Sequence, residues 1–284
     1  MSYYPLNVGI GSQPVAEDEA LNYLSMPTEM HTYRPPRLPE PETLTAEMTG
    51  AKTTLQKLYE MVQAFNLTQT ANTIELGELD AKNLNFIGQV LGDGEVKIKC
   101  TGKSIVNIQE SVMAGIWHLQ RLDEQGKIVH QQLDIGEVPN LLRDIIHEEG
   151  QTRLTLGDVP TNLMNAPAIL VEVDAKQQTC APNQPAHVIN LSLLPISEED
   201  QTFMINCLGT GTTTILSKGY GNCRITSTAI RYVWWVRYYN SMDNLILNTI
   251  EIVDIPQVAK AAKEDLEDSE KRLQGIMRDY LNWL

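Results

Sequence analysis

One internal similarity constrains this sequence more than any other feature. Residues 76–139 align without a gap with residues 193–256, at a constant offset of 117 residues (193 − 76). The identical pairs are apolar residues, glycines and one proline, and they include Leu76/Leu193, Phe86/Phe203, Leu91/Leu208, Gly92/Gly209, Gly94/Gly211, Ile98/Ile215, Gly102/Gly219, Ile108/Ile225, Trp117/Trp234 and Pro139/Pro256. Fold-determining residues recur, whereas polar residues that could perform chemistry mostly do not. We interpret the pattern as a duplicated scaffold, which favours binding over catalysis.

Each copy has the pattern of one helix followed by three strands. The helix begins near Asp80 or at Ser197, where Asp200 completes a capping-box pattern, and ends at a Leu-Gly-x-Gly sequence that suits a left-handed cap. The predicted strands are Glu95–Cys100, Ile108–Leu122 and Ile128–Ile135, with Thr212–Ser217, Ile225–Tyr239 and Leu245–Ile252 as their counterparts. Short connections predict an α+β fold with antiparallel sheets, the two helix-strand-strand-strand units being related by a pseudo-twofold axis.

The rest of the chain divides around these copies. Residues 1–42, rich in proline and glycine, are predicted to be an extended arm that packs on the body or on a partner. Residues 43–155 contain a helix at 43–65, capped by Thr43 or Thr45, and the first copy. Residues 156–284 contain the second copy and an amphipathic helix at 258–284. Helices are also predicted at 139–146 and 167–173, the latter with Asn165 as its cap.

Charge and hydropathy exclude several classes of partner. The formal net charge of −14 argues against binding to nucleic acid or to an anionic membrane. It favours a basic protein or peptide, although the charge could equally serve only solubility. The first 14 residues do not resemble a signal peptide, and no apolar run is long enough to span a membrane. We therefore expect a cytoplasmic protein.

No residue pattern points to a catalytic, cofactor or metal site. Cys100, Cys180, Cys207 and Cys223 are widely spaced, so we interpret them as packing residues. A metal or iron–sulfur carrier that uses Cys100, Cys207 and Cys223 is the alternative. The five histidines show no metal-binding spacing, and the glycine pairs follow helices rather than strands, which is the reverse of a phosphate loop. An enzyme with an unrecognised site remains a third hypothesis.

The segment 231–239 is the strongest candidate for partner binding. In a strand, Tyr232, Trp234, Val236 and Tyr238 share one face, predicted to be core, and the remaining residues share the other. Arginine and aromatic residues are enriched in interface hot spots. We predict that a partner contacts this second face and the nearby turn through Arg231, Trp235, Arg237, Tyr239 and Tyr220. The alternative is that a helix of the same chain covers the face.

Several ungapped blocks resemble a known family. They are Gly9-Ile-Gly-Ser-Gln-Pro14, Tyr23-Leu-Ser-Met-Pro27, residues 190–200, Gly219-Tyr-Gly221, residues 225–237, Glu251-Ile-Val-Asp-Ile-Pro256 and residues 262–273. In this order they are similar to the HupH/HyaF family of nickel–iron hydrogenase expression/formation proteins, over most of the chain.

The resemblance implies a cytoplasmic, non-catalytic accessory protein in hydrogenase maturation. Its partners would be the iron–sulfur small-subunit precursor, which carries a twin-arginine leader, and a thioredoxin-like accessory protein. An acidic chaperone would complement the basic leader. The family has no accepted catalytic residues, so the resemblance transfers none. The sequence leaves open whether the chain forms a homodimer.

Overall fold

A computed structural model describes residues 48–219 and 221–280. The predicted arm at 1–42, the proposed caps Thr43 and Thr45, and Tyr220 lie outside these residues. The six α-helices of the described part are α1 (Thr49–Thr68), α2 (Ala81–Leu91), α3 (Asn140–Glu149), α4 (Ala166–Thr179), α5 (Glu198–Leu208) and α6 (Lys263–Gly275). None of them is both long and apolar enough to cross a bilayer.

All strands within 48–219 and 221–280 join one antiparallel sheet. They are β1 (Asn72–Glu75), β2 (Val96–Thr101), β3 (Ile105–Glu110), β4 (Ile116–Leu122), β5 (Ile128–Ile135), β6 (His187–Asn190), β7 (Thr213–Ser217), β8 (Asn222–Ser227), β9 (Val233–Tyr239) and β10 (Leu245–Ile252). The order across the sheet is β1-β5-β4-β3-β2-β7-β8-β9-β10-β6. The predicted α+β class with antiparallel pairing is confirmed.

The two halves of the sequence meet at the centre of the sheet. There β2 pairs with β7, and Ile98 lies directly opposite Ile215, its own counterpart at the offset of 117 residues. Strand order is mirrored outward from this pair, which is the arrangement a local two-fold axis would produce. The duplication itself stays a prediction, as does a domain boundary at 155/156, because both halves share one continuous sheet.

The prediction of three strands in each copy was wrong, because each long strand is two strands joined by a tight turn. In the first copy residues 111–115 form the turn between β3 and β4, and in the second residues 228–232 join β8 and β9. Gly115 and its counterpart Tyr232 both have positive φ, +79° and +65°. The serine and threonine that begin the turns, Ser111 and Thr228, each bond the backbone two residues on. Apolar and polar residues continue to alternate through such a turn, so the sequence pattern did not reveal where one strand ends and the next begins.

The structure also corrects the predicted helix ends. The first helix begins at Thr49 without a side-chain cap, and the last begins at Lys263, five residues later than predicted, after a short 3₁₀ turn at Gln257–Ala259. Asp80 and the Ser197/Asp200 capping box are confirmed. Gly92 and Gly209 have φ of 58° and 63° with ψ near 180°, so they adopt an extended glycine conformation rather than the left-handed cap expected. Asn165 stands before α4 but its side chain does not cap it.

Matched tryptophans anchor the core in both halves. Trp117 and Trp234 are fully buried, and their indole N–H groups donate to the carbonyls of Gly136 and Val253, again counterparts at the same offset. This main core includes residues of α1, α2, α3 and α6. A second core lies between α4, α5 and strands β6, β9 and β10. The helices that pack in these two cores determine which parts of the sheet are buried and which remain accessible to solvent.

Candidate functional site: a two-row polar face of the sheet

The predicted partner-binding face is largely inside the molecule. Trp235 and Arg237 are only 4% and 5% exposed. Trp235 packs in the second core with residues of α4 and α5, including Leu170 and Met204. The alternative interpretation, that helices of the same chain cover this face, is therefore what the structure shows for Trp235. Trp235 and Arg237 are thus buried in the folded chain rather than exposed, and their role in partner binding stays a prediction.

The other predicted contact residues lie in different places. Arg231 is half-buried beside α3, where its Nη1 lies 3.4 Å from Nε2 of His147. It borders a small cavity of about 100 Å³ between the end of α3 and residues 227–234. Tyr239 is half-buried at the end of β9. The segment 231–239 therefore does not form one continuous exposed surface, and partner contact through Arg231 or Tyr239 stays a prediction.

The same sheet face carries a pattern that sequence reasoning missed. Residues directly opposite on antiparallel strands project to the same side, so the pairing registers define two adjacent rows across eight strands. The first row is Leu133, His118, Gln109, Lys97, Leu216, Arg224, Arg237 and Asn248; the second is Gln131, Gln120, Asn107, Lys99, Thr214, Thr226, Trp235 and Ile250. The offset of 117 residues exchanges the rows. We call this surface the two-row face.

The two-row face is cationic in an acidic protein. Its charged residues are Lys97, Lys99, Arg224 and Arg237, and neither row contains a carboxylate. Burial lowers the pKa of His118, so the imidazole is neutral near pH 7. On the central strands β3, β2, β7 and β8, most residues of the two rows are half-exposed. A chain with net charge −14 thus concentrates positive charge on one partly open face.

Arg237 has an unusual environment on this face. Its guanidinium lies 5.1 Å from the Trp235 ring centroid, within cation–π range. Burial lowers the pKa of Arg237, while the neighbouring Tyr239 side chain acts in the opposite direction. Its Nε and Nη2 have no hydrogen-bond partner among the described residues. A buried arginine with open donors is an unsatisfied group that needs a physical explanation.

Arg224, directly opposite Arg237 on β8, is better compensated. Its Nη2 donates to both carboxylate oxygens of Asp243 at 2.9 Å, and its guanidinium stacks 4.4 Å from the Tyr239 ring centroid. Asp243 lies in the β9–β10 turn and its side chain is 62% exposed. Asp243 therefore compensates Arg224, whereas no carboxylate among the described residues bonds Arg237.

The four cysteines are not activated for nucleophilic attack. Burial raises the pKa of Cys100 to about 11 and that of Cys223 to about 12. Burial also raises the pKa of Cys180 and of Cys207. Thiolates, not thiols, are the nucleophiles and metal ligands. Within 48–219 and 221–280, no three His, Cys, Asp or Glu side chains converge on a point that could hold a metal ion.

One cysteine does lie beside a histidine and a carboxylate. Cys180 and His187 line a cavity of about 280 Å³, and Nε2 of His187 is 2.6 Å from Oε1 of Glu172. Asp254 adds to the effect of burial in raising the pKa of the Cys180 thiol. A raised thiol pKa is the opposite of what an activated cysteine requires. Cys180, His187 and Glu172 are thus the residue types of a nucleophilic site, but the thiol pKa is not lowered as such a site requires.

Comparison with known proteins supplies the family. The model described as "HupH hydrogenase expression protein, C-terminal conserved region" matches residues 48–155 and again residues 163–280. The chain belongs to the HupH family of hydrogenase expression proteins. The resemblance seen in the sequence blocks is thereby confirmed.

Relatives match along nearly the whole chain. A hydrogenase expression/formation protein HoxQ from Cupriavidus necator is 44% identical over 98% of both chains. A hydrogenase expression/formation protein HupH from Rhodobacter capsulatus is 40% identical over 96% of both. The hydrogenase-1 operon protein HyaF of Escherichia coli is 33% identical over 72% of this chain and 71% of its own. These relatives support a role in hydrogenase maturation.

Proposed function

We propose that this protein is a non-catalytic accessory protein of nickel–iron hydrogenase maturation that binds the iron–sulfur small-subunit precursor, a thioredoxin-like companion, or both. Membership of the HupH family, with relatives named hydrogenase expression/formation proteins along nearly the full length, is the observation that carries the proposal. The site of action would be the cytoplasm, before export. Formation of a homodimer is a further part of the proposal.

Electrostatics support a polypeptide partner. The net charge of −14 complements a basic leader peptide and would speed its encounter with the protein. The two-row face offers the opposite sign, with Lys97, Lys99 and Arg224 half-exposed on one surface. A chaperone with both an acidic body and a cationic face can hold two different segments, or two different proteins. The partner-binding roles of Arg231, Tyr239 and Tyr220 belong to the same proposal.

A carrier of metal or of iron–sulfur clusters is the competing proposal. It requires at least some of Cys100, Cys207 and Cys223 to act as thiolates, yet burial raises the pKa of each. Metal analysis of protein purified without oxygen, alongside a variant with these cysteines changed to serine, separates the two. A stoichiometric metal that disappears in the variant would replace the chaperone proposal with the carrier.

Co-purification tests the leading proposal directly. The tagged protein is expressed with the complete hydrogenase operon and captured, and the bound proteins are identified. We expect the small-subunit precursor or a thioredoxin-like protein in stoichiometric amount. Charge reversal by Lys99→Glu on the two-row face should reduce capture of an acidic partner, whereas Lys127→Glu in the exposed β4–β5 turn should not. Wild type that captures no hydrogenase component would refute the proposal.

A further inference from the structure

The open edge of Arg237 has the shape of a carboxylate receptor. Nε and Nη2, the two nitrogens without a partner among the described residues, lie on the same edge of the guanidinium. Their N–H bonds are parallel, and their spacing matches the two oxygens of a carboxylate in a bidentate pair. The side chain is 95% buried, so this edge is held inside the protein rather than in solvent.

Leaving such an edge unpaired is energetically expensive. A buried charge without its counter-charge destabilises a fold more strongly than almost any other polar defect. Opposite Arg237 stands Arg224, which adds repulsion, and the only carboxylate bonded to this pair within the described chain is Asp243, on Arg224. Arg224, Arg237 and Asp243 together leave one positive charge over. The chain maintains this arrangement although a neutral residue stands at the counterpart position, Gln120.

Asn248 adds the opposite kind of group. It lies directly across from Arg237 on β10, and its Oδ1 is buried and has no donor among the described residues. Its backbone N–H is already bonded to Oγ of Ser192 at 2.8 Å. Two open donors on β9 thus stand beside one open acceptor on β10.

We propose that Arg237 and Asn248 form a recognition site for an acidic residue within a peptide segment of a protein partner. The carboxylate pairs with Nε and Nη2 of Arg237, and an amide N–H of the same segment donates to Oδ1 of Asn248. A free anion such as acetate has no donor for Asn248, and a dianionic phosphate would be repelled by its oxygen. The inference rests on the proposed function in taking a polypeptide as the occupant.

We assign to Tyr239 the movement that opens the site. Its side chain lies beside that of Arg237, and its ring stacks with the Arg224 guanidinium. It is the last residue of β9, next to the turn that contains Asp243, and it is half-buried. In the bound state we expect this ring and the Arg224–Asp243 pair to move aside, which gives the carboxylate access to Nε and Nη2 of Arg237. The peptide's carboxylate then takes over the charge compensation inside the site.

Nuclear magnetic resonance of the arginine Nε–H groups in the full-length, nitrogen-15-labelled protein tests the proposal. The probes are acetyl-Ala-Asp-Ala-amide, its asparagine counterpart and sodium acetate. We expect the Arg237 signal, assigned through Arg237→Lys, to shift saturably with the aspartate peptide. Affinity for the asparagine peptide and for acetate should be about tenfold lower, since neither offers both the carboxylate and the amide donor.

Substitutions at Arg237 and Asn248 provide a second test of the site. Arg237→Lys keeps the charge but loses the fork and should weaken binding of the aspartate peptide about tenfold. Asn248→Ala should weaken it by a smaller factor, and Arg121→Lys, an exposed arginine on β4, should leave it unchanged. Circular dichroism checks that each variant is folded. If Arg237→Lys does not fold, triple-resonance assignment of the Arg237 Nε–H signal in wild type replaces it, and the three-probe titration of wild type decides.

Several outcomes would overturn the proposal. They are no shift with any probe, equal shifts with the aspartate and asparagine peptides, binding of acetate as tight as that of the aspartate peptide, or unchanged affinity in folded Arg237→Lys. None of these measurements uses a hydrogenase component. Their failure therefore leaves the proposed function intact, and failure of the co-purification leaves the peptide titration to be judged by itself.

Discussion

The two halves of the sheet agree in the main core and differ on the two-row face. Trp117 and Trp234 make the same indole bond, and Ser111 and Thr228 make the same turn. On the two-row face, however, the first half has His118, Gln120 and Gln131 where the second has Trp235, Arg237 and Asn248. Substitutions at positions where the two halves have the same contacts therefore test folding. Substitutions at positions where the halves differ test what distinguishes the second half.

The matched tryptophans give the largest expected effect. Trp117→Ala and Trp234→Ala should each lower the free energy of unfolding by about 3–5 kcal/mol, because each leaves a large cavity and an unpaired carbonyl. Urea denaturation of both variants measures the losses. A loss below about 1 kcal/mol at one site only would show that the halves are not equivalent in their cores.

The turn glycine provides the next comparison. Gly115→Ala should cost about 2–3 kcal/mol, since its new methyl group would meet Leu266 of α6 and the backbone there has positive φ. Its counterpart Tyr232 already bears a side chain at positive φ, and that side chain packs half-buried against the main core. Thermal unfolding of Gly115→Ala, with Gly126→Ala in the exposed β4–β5 turn as a control for positive φ alone, isolates the contact with α6.

Only the first half buries an acid at the end of its third strand. Burial raises the pKa of Glu110 to about 7, while the counterpart in β8 is Ser227. Since the folded pKa lies above the unfolded value of 4.5, ionisation destabilises the fold as pH rises from about 4.5 through 7. Glu110→Gln should therefore stabilise the protein at pH 8 by on the order of 2 kcal/mol.

Denaturation at several pH values checks the sign for Glu110. The gain should shrink as pH falls and vanish near pH 4, where the wild-type carboxyl is protonated in both states. A gain independent of pH would mean that the substitution acts through packing rather than through charge.

Helix capping gives the smallest expected effect. Asp200 accepts from the backbone N–H groups of Met164, Asn165 and Ala166 and joins the cap of α5. Its counterpart Asn83 accepts from Ala51 N, so a neutral amide serves α1 where a carboxylate serves α4. Asp200→Asn should cost about 1–2 kcal/mol at pH 7.

The effect at Asp200 has its own pH signature. Burial acts to raise the pKa of Asp200, but the backbone N–H groups of Ala166, Ser197, Asn165 and Met164 together lower it below the usual value. The stability it contributes is present above the unfolded pKa of 3.8 and is lost as pH falls through the lower folded pKa. Denaturation at a series of pH values from 7 downward should show the difference between wild type and Asp200→Asn narrowing once the pH falls below 3.8. A difference that does not shrink below that pH would contradict this.

Local signals in the sequence were sufficient for part of this structure. Strands β5 and β10 have the predicted bounds, and Asp80 and Ser197 begin their helices as expected, because each depends on neighbouring residues alone. The breaks at 111–115 and 228–232 were missed because apolar alternation runs through both turns. The short edge strands β1 and β6 were missed because four residues carry too little periodicity.

The candidate site required the register of the sheet. Lys97 and Arg237 are far apart in the sequence and share a face only because β2 pairs with β7. The burial of Trp235 likewise depends on where α4 and α5 fold back, which no local pattern specifies. Residue types indicated the right strand, but tertiary contacts decided which of its side chains remain accessible.

The seam between β2 and β7 has a consequence for how the chain matures on the ribosome. The first half leaves the exit tunnel with β2 as a bare edge, and it stays bare until β7 has been synthesised. α1 likewise lacks its contacts with α6 until α6 has been synthesised, because Gln63 and Asn66 of α1 donate hydrogen bonds to Glu270 of α6. A nascent chain that pauses after the first half therefore exposes β2 as an unpaired edge strand, which can pair with a strand of another chain. Two such chains on one polysome could pair Ile98 to Ile98, in place of Ile98 to Ile215.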